Sequence, residues 1–358
     1  MIIGKALNYG PLRFSFSNRR RWTLCAAIFL SVITVFRDLK SHYHKPPSTV
    51  NLVLALTKEQ DFSWTSSLKI PGLKILPYIA DDATALLHPP ANKGREALTY
   101  LTYLSQFYNS LPDISIFVHG NDITWHVDPI FGKSTANTLN LLNLYEVHRR
   151  GYLNLRTSWK GGCPAWINTT SSHEDSTSNL FFSKALHSSE TRGEKFEEPY
   201  MKAAFEENFP GTRAPKILAQ PCCSQFAVSK KTIRSIPRSD YQQKINWLLK
   251  SPLSDQLTGR MWEHMWQFLF LKRAEDCPAE YEALCSGWRI CFKNQDELDN
   301  WNGLAEKVQE LKSIADAAEI NNREAGELEE NLNRLRMEAV RRGKAKDREE
   351  VEVAVELI

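Results

Sequence analysis

The strongest constraint on the fold is an alternation of two hydrophobic periods between residues 50 and 270. Val50–Leu56, Leu73–Ile79 and Ile114–His119 are short apolar runs of strand length, as expected of strands buried on both faces. Between the last two, Leu98, Leu101, Leu104, Tyr108 and Leu111 recur at helical spacing, which predicts an amphipathic helix over 95–111. Further helices are expected at 135–150, 197–208, 239–250 and 259–270, with a strand near 225–229. Strands alternating with helices predict an α/β fold: a mixed or mostly parallel sheet flanked by helices on both faces. The stretch 171–194 is polar and aperiodic, and reads as a long loop.

Net charge over the 358 residues is only +3, but it hides a split. Residues 294–358 carry 10 Lys and Arg against 17 Asp and Glu, a net of −7, and contain no Cys and no Pro. The remainder carries +10 without clustering it among aromatic residues, so a nucleic-acid partner is not expected. The break predicts a domain boundary at Asn294. Beyond it, Leu304, Val308, Leu311, Ala315, Ala318, Asn322 and Ala325 follow a four-three pattern, whose phase slips to Leu328, Leu332, Leu335 and Ala339. That pattern fits a long helix or a coiled coil, with Asn322 favouring a homodimer in register through 294–342. A single solvated helix fits it as well.

The amino-terminal part predicts an anchor. Residues 22–36 are an uncharged run of 15 behind Arg19, Arg20 and Arg21. As a helix the run is about 22 Å long, short against roughly 30 Å of hydrocarbon, with Trp22 and snorkelling arginines extending its reach. No small-x-small cleavage site follows, which argues against a removed signal peptide; a core helix is the remaining alternative. The charge bias puts the amino terminus in the cytosol. The expected order is therefore a cytosolic 1–21, a transmembrane signal anchor 22–36, a linker 37–49, a luminal domain 50–293 and an acidic tail 294–358, a single-pass type II protein of the secretory pathway. Six cysteines (Cys163, Cys222, Cys223, Cys277, Cys285, Cys291) lie beyond the anchor, an even number suited to disulfides. Zinc ligation by the last three lacks short knuckle spacing. Asn168-Thr169-Thr170 is a glycosylation sequon. Adjacent Cys222 and Cys223 are expected to take different partners, because neighbours bridge each other only with strain.

Several ordered segments carry a resemblance. They are Asn92-Lys93-Gly94-Arg95-Glu96, Leu111-Pro112-Asp113 before the third apolar run, Leu155-Arg156 with Trp159 and Gly161-Gly162-Cys163-Pro164, the run from Cys222 to Ser229, and Gly259 to Gln267. Over about 50–292 this set resembles the fungal family of domain of unknown function 3431. The family pattern is Cys-rich around a Gly-Tyr-Gly turn; here 283–289 lacks one Cys and the second Gly, which implies that one disulfide of the pattern is incomplete and a cysteine is left over. The layout is also similar to glycosyltransferases of the A-type fold, by analogy.

Three places carry candidate chemistry. The loop after the third run, from His119 to Asp128, holds two imidazoles and two carboxylates where open α/β sheets bind ligands. Asp122 and His126 are the candidate catalytic groups there, with His119 as a ligand contact; a polar turn around a buried histidine is the plain alternative. The A-type resemblance implies an Asp-x-Asp metal motif, but only Asn121-Asp122 stands here, which leaves a divalent ion such as Mn2+ as an open expectation. Lys93 and Arg95 at a helix start suit a phosphate, or merely cap a solvated first turn, with Asn92 as the N-cap. Glu263 borders Trp262 and Trp266, where apolar neighbours raise a carboxyl pKa and fit it to take a proton from a sugar hydroxyl while Trp266 supports the ring. Its plain alternative is an ion pair with Arg260. The expected function is a glycosyltransferase-like enzyme taking a nucleotide-sugar to a glycan or protein acceptor; the alternative is a non-catalytic lectin-like or scaffolding module.

Overall fold

The computed structural model describes residues 47–170, 195–318 and 323–356. The expected anchor 22–36, its flank 1–21, the loop 171–194 and Asn322 lie outside the described residues. Among the described residues no helix is long and apolar enough to cross a membrane.

Strands β1 (Val50–Leu56), β2 (Leu73–Ile79) and β3 (Ile114–His119) coincide with the three apolar runs. They are followed by β4 (Tyr152–Asn154), the short pair β5 (Ile167–Asn168) and β6 (Ile217–Leu218), and β7 (Phe226–Ser229). The main sheet has the order β2-β1-β3-β7-β4. β1 pairs in parallel with β2 and β3, while β7 runs antiparallel to β3 and to β4. β4 therefore points the same way as β1 to β3. The carboxyl ends of four strands and the entry to β7 meet at one edge.

The helices are α1 (Glu96–Gln106), α2 (Thr135–Asn140), α3 (Leu144–Arg150), α4 (Glu198–Asn208), α5 (Lys230–Arg234), α6 (Arg238–Lys250), α7 (Asp255–Glu263), α8 (Trp266–Leu271), α9 (Glu280–Trp288), α10 (Gln295–Ala318) and α11 (Arg323–Glu356). Two of the expected helices are each split in two. Ser134 and Ser254 cap the first helix of each pair through their hydroxyls, and the chain breaks between Asn140 and Leu144 and turns between α7 and α8 at His264 and Met265.

Side-chain alternation along the strands divides the core. Val53, Phe117, Tyr152 and Phe226 pack with α1, α4, α6, α7 and α8 on one face. Leu52, Leu54, Ile116, Val118 and Ala227 face the other way, towards α3 and α9. The first face is rich in aromatic rings: Phe226 lies 4.9 Å from both Phe117 and Trp266.

The acidic tail joins the second face. Leu298, Trp301, Val308, Leu332 and Ala339 are buried in the same cluster as Leu52 and Ile116. The Trp301 indole donates to the Leu332 carbonyl at 3.1 Å. Arg336 donates to Ile130 O at 3.0 Å, and Arg342 bonds both Cys291 O (2.7 Å) and Glu297 (2.6 Å). The approach is close enough that a Cβ on Gly343 would lie 1.9 Å from the Arg289 carbonyl oxygen. The composition break at Asn294 thus marks a change of element inside one compact unit, 47–358. The helices α10 and α11 fold against each other, and Val308, Leu332 and Ala339 are buried between them and the sheet.

Three disulfides close the domain: Cys163–Cys277, Cys222–Cys223 and Cys285–Cys291. Among the described residues all six cysteines are paired, so none of these is left over. Cys222 and Cys223 bond to each other, correcting the expectation of separate partners; the left-handed backbone at Cys223 (φ 89°) and Ser224 (φ 48°) belongs to this turn. Such bonding fits an oxidising, secreted or luminal compartment.

Candidate active site at the carboxyl ends of the strands

The edge where β1, β3 and β4 end gathers most of the candidate residues. His119 closes β3. Its backbone N–H donates to Gln225 Oε1 at 3.2 Å and its Nε2 lies 2.9 Å from the Cys223 carbonyl. The His126 ring stacks on it, with centroids 4.6 Å apart, and holds Thr124 Oγ1 at 2.7 Å through Nδ1. Burial, the His119 ring and the Arg156 and Arg95 cations push His126 down to about 3. At neutral pH it is an uncharged imidazole, a hydrogen-bonding group more than a cation.

Arg156, just past β4, ties this loop to the sheet. Its Nε is 3.6 Å from Asp128 Oδ1, while Nη1 reaches Trp125 O at 3.3 Å and the Cys222 and Cys223 sulfurs at 3.2 and 3.3 Å. Asp128, itself buried, accepts from the Thr157 amide and hydroxyl through Oδ2. Trp125 is half exposed above this knot, its ring 4.1 Å from His126.

Asp122 serves the loop. Its Oδ1 accepts from Ser134 Oγ and Ala136 N, both at 2.8 Å, which closes the loop onto the start of α2. Its two bonds are structural ones. Among the described residues no group of three or more His, Cys, Asp or Glu is placed to hold a metal ion.

The second half of the site comes from α1 and α7. Arg95, at φ 51°, precedes α1 as its N-cap, and the helix starts at Glu96; Asn92 does not cap it. Gly259 lets α7 approach: a Cβ there would lie 3.1 Å from Arg95 Cβ. One turn further along α7, Glu263 faces the same place. Burial, the adjacent Glu96 carboxylate and Glu197 push Glu263 up to about 8, against the opposing pull of Arg260 and Arg95. Glu96 Oε1 and the Tyr100 hydroxyl beside it are buried without hydrogen-bond partners among the described residues.

Glu197 is the counterpart. Burial alone would raise it, but the hydrogen bond and charge of His264 and the Arg260 guanidinium hold it down at about 2. His264 Nε2 and Arg260 Nε lie 3.0 Å from its two oxygens. Arg260 thus pairs with Glu197, across the fold, and Glu263 is left to carry its proton.

Two expected ligand contacts are spent elsewhere. Lys93 Nζ donates to Ser251 O at 2.5 Å. Trp266 is fully buried, with its indole N–H on Ser224 Oγ at 3.2 Å, so its face packs the core and offers no platform. Trp125 is the exposed ring at this edge instead. Glu197 was not singled out by sequence spacing, because its partner His264 lies 67 positions away; Asp128 stood in the candidate loop, but its tie to Arg156, 28 positions on, exists only in the fold.

An open mixed α/β sheet with polar groups gathered at its strand ends defines the class of this domain. Residues 52–286 match the family described as "Protein of unknown function (DUF3431)", and the chain belongs to that family. No curated protein and no solved structure matches it.

Proposed function

We propose that residues 50–293 form a glycosyltransferase-like enzyme that moves a sugar from a nucleotide-sugar to a glycan or protein acceptor. The observation that carries this reading is the separation of two nearby carboxyls: Glu263 pushed up to about 8 and Glu197 held at about 2. Paired carboxyls with opposed environments divide acid and base roles. In this reading Glu263, once deprotonated, takes the proton of the acceptor hydroxyl. Arg95, whose charge acts on both Glu263 and His126, faces the donor's diphosphate. Trp125 lies under a sugar or base ring, and neutral His126 and His119 offer hydrogen bonds. Glu197 positions Arg260 and His264. No step is assigned to a metal.

The disulfides, the exposed Asn168 sequon and the 22–36 segment support a body displayed in the secretory lumen from a type II anchor. Calorimetry of the full chain with a panel of nucleotide-sugars, with and without Mn2+, tests the reading. Donor binding lost in Arg95→Ala, and turnover cut about a hundredfold in Glu263→Gln with donor binding kept, is the expected pattern. The rate should rise with pH up to about 8 as Glu263 loses its proton. Absence of nucleotide-sugar binding under all conditions would favour the lectin-like or scaffolding alternative.

A further inference from the structure

A cavity of about 390 Å3 lies among α4, α6 and α8, on residues other than those of the strand-end site. Its lining includes Phe209 and Phe268, whose rings meet edge to face at 4.9 Å. Lys244 also lines it and is almost wholly buried, with 3% of its surface exposed. Its ammonium sits 5.1 Å from the centre of the Phe209 ring, and Lys272 at the mouth lies 5.8 Å from both rings. Among the described residues neither lysine forms an ion pair within 4.0 Å. Lys244 Nζ has only the Asp240 carbonyl and Gln243 Oε1, at 3.4 and 3.3 Å. Asn208, which lines the same cavity and is fully buried, leaves its Oδ1 without a hydrogen-bond partner.

We propose that this cavity binds a small aryl carboxylate, independently of the strand-end site. A buried ammonium without a carboxylate partner costs free energy, and an anion entering beside it recovers that cost. Lys244 and Lys272 against Asp240 leave the cavity one positive charge in excess, which selects a monoanion. The two phenyl rings supply a flat apolar wall for an aromatic body. The volume is that of a small-ligand pocket. Burial lowers Lys244 to about 8, so it remains largely protonated at neutral pH, consistent with an anion site.

The test is calorimetry of the full chain with 3-phenylpropionate and inorganic phosphate as probes. The expected result is saturable one-to-one binding of 3-phenylpropionate and none of phosphate. Lys244→Met and Lys272→Met should each weaken binding about tenfold or more, and Lys272, at the exposed mouth, can be replaced without threatening the fold. Glu263→Gln should bind the acid unchanged, which keeps this result separate from the strand-end chemistry. No binding of 3-phenylpropionate at millimolar concentration, wild-type affinity in both lysine variants, or binding of phosphate alone would overturn the proposal.

Discussion

Replacing Glu263 by Gln should stabilise the protein, by an amount that grows with pH. In the folded state the carboxyl keeps its proton up to about 8, whereas its ordinary value is 4.5. Below 4.5 both states hold the proton, and the contribution of the group is fully present. Between those values the folded protein binds a proton that the unfolded chain has released, so stability falls as pH rises. The slope for one proton is about 1.4 kcal/mol per pH unit, and the whole interval amounts to about 4 to 5 kcal/mol. The amide introduced by Glu263→Gln has the same shape as the protonated carboxyl and no proton to lose. Urea unfolding of both proteins at pH 5, 6.5 and 8 should show near equality at the lowest pH and the variant ahead by a few kcal/mol at the highest. A difference that stays constant across this range would refute the placement of Glu263 against Glu96 in a poorly solvated site.

The opposite sign is expected at Glu197, whose depressed value makes it stabilising above 4.5, a contribution lost as pH falls towards 2. Glu197→Gln should cost about 3 to 5 kcal/mol at neutral pH, since it strips a buried carboxylate from Arg260 and His264; denaturant midpoints at pH 7 and pH 3 check both the cost and its decline. Trp301→Ala should cost about 3 to 5 kcal/mol by opening the core beneath the tail, and removal of 294–358 should expose that apolar surface and yield an unstable or aggregating body, read by thermal melting and light scattering. Gly343→Ala should shift α11 away from Arg289, because a Cβ has no room at 1.9 Å from a carbonyl oxygen; proteolysis within the tail should accelerate.

The strands β1, β2 and β3 were legible to the residue as short, mostly apolar runs; β1 and β3 are buried on both faces, whereas β2 lies at the edge of the sheet with Lys74 exposed. Helices were legible by their stripe but not by their ends: 135–150 and 259–270 each broke in two, the first between Asn140 and Leu144 and the second where the chain turns at His264. β4, β5 and β6 span three residues or fewer, too short for any period to register, and exist because partners brought them into register. At the candidate site, Glu263, Arg95, His119 and His126 had been singled out by type and position after expected elements. Asp122, Lys93 and Trp266 were found by the same rule, yet their polar groups are committed to Ser134, Ser251 and Ser224. Local spacing cannot tell a committed group from an available one.

What the chain settled by itself is therefore its class of layers, a mixed or mostly parallel sheet flanked by helices, and the presence of an even set of cysteines. These depend on periodicity and composition, which each segment carries alone. The tertiary structure decided which cysteines join, that the acidic tail covers the sheet and does not stand apart, and which carboxyl holds a proton. Each of those is a matter of distance between residues far apart in sequence. Glu197 and His264 are 67 positions apart and 3.0 Å in contact, and a pKa is set by such neighbours and by loss of solvent, neither of which exists before the chain has folded.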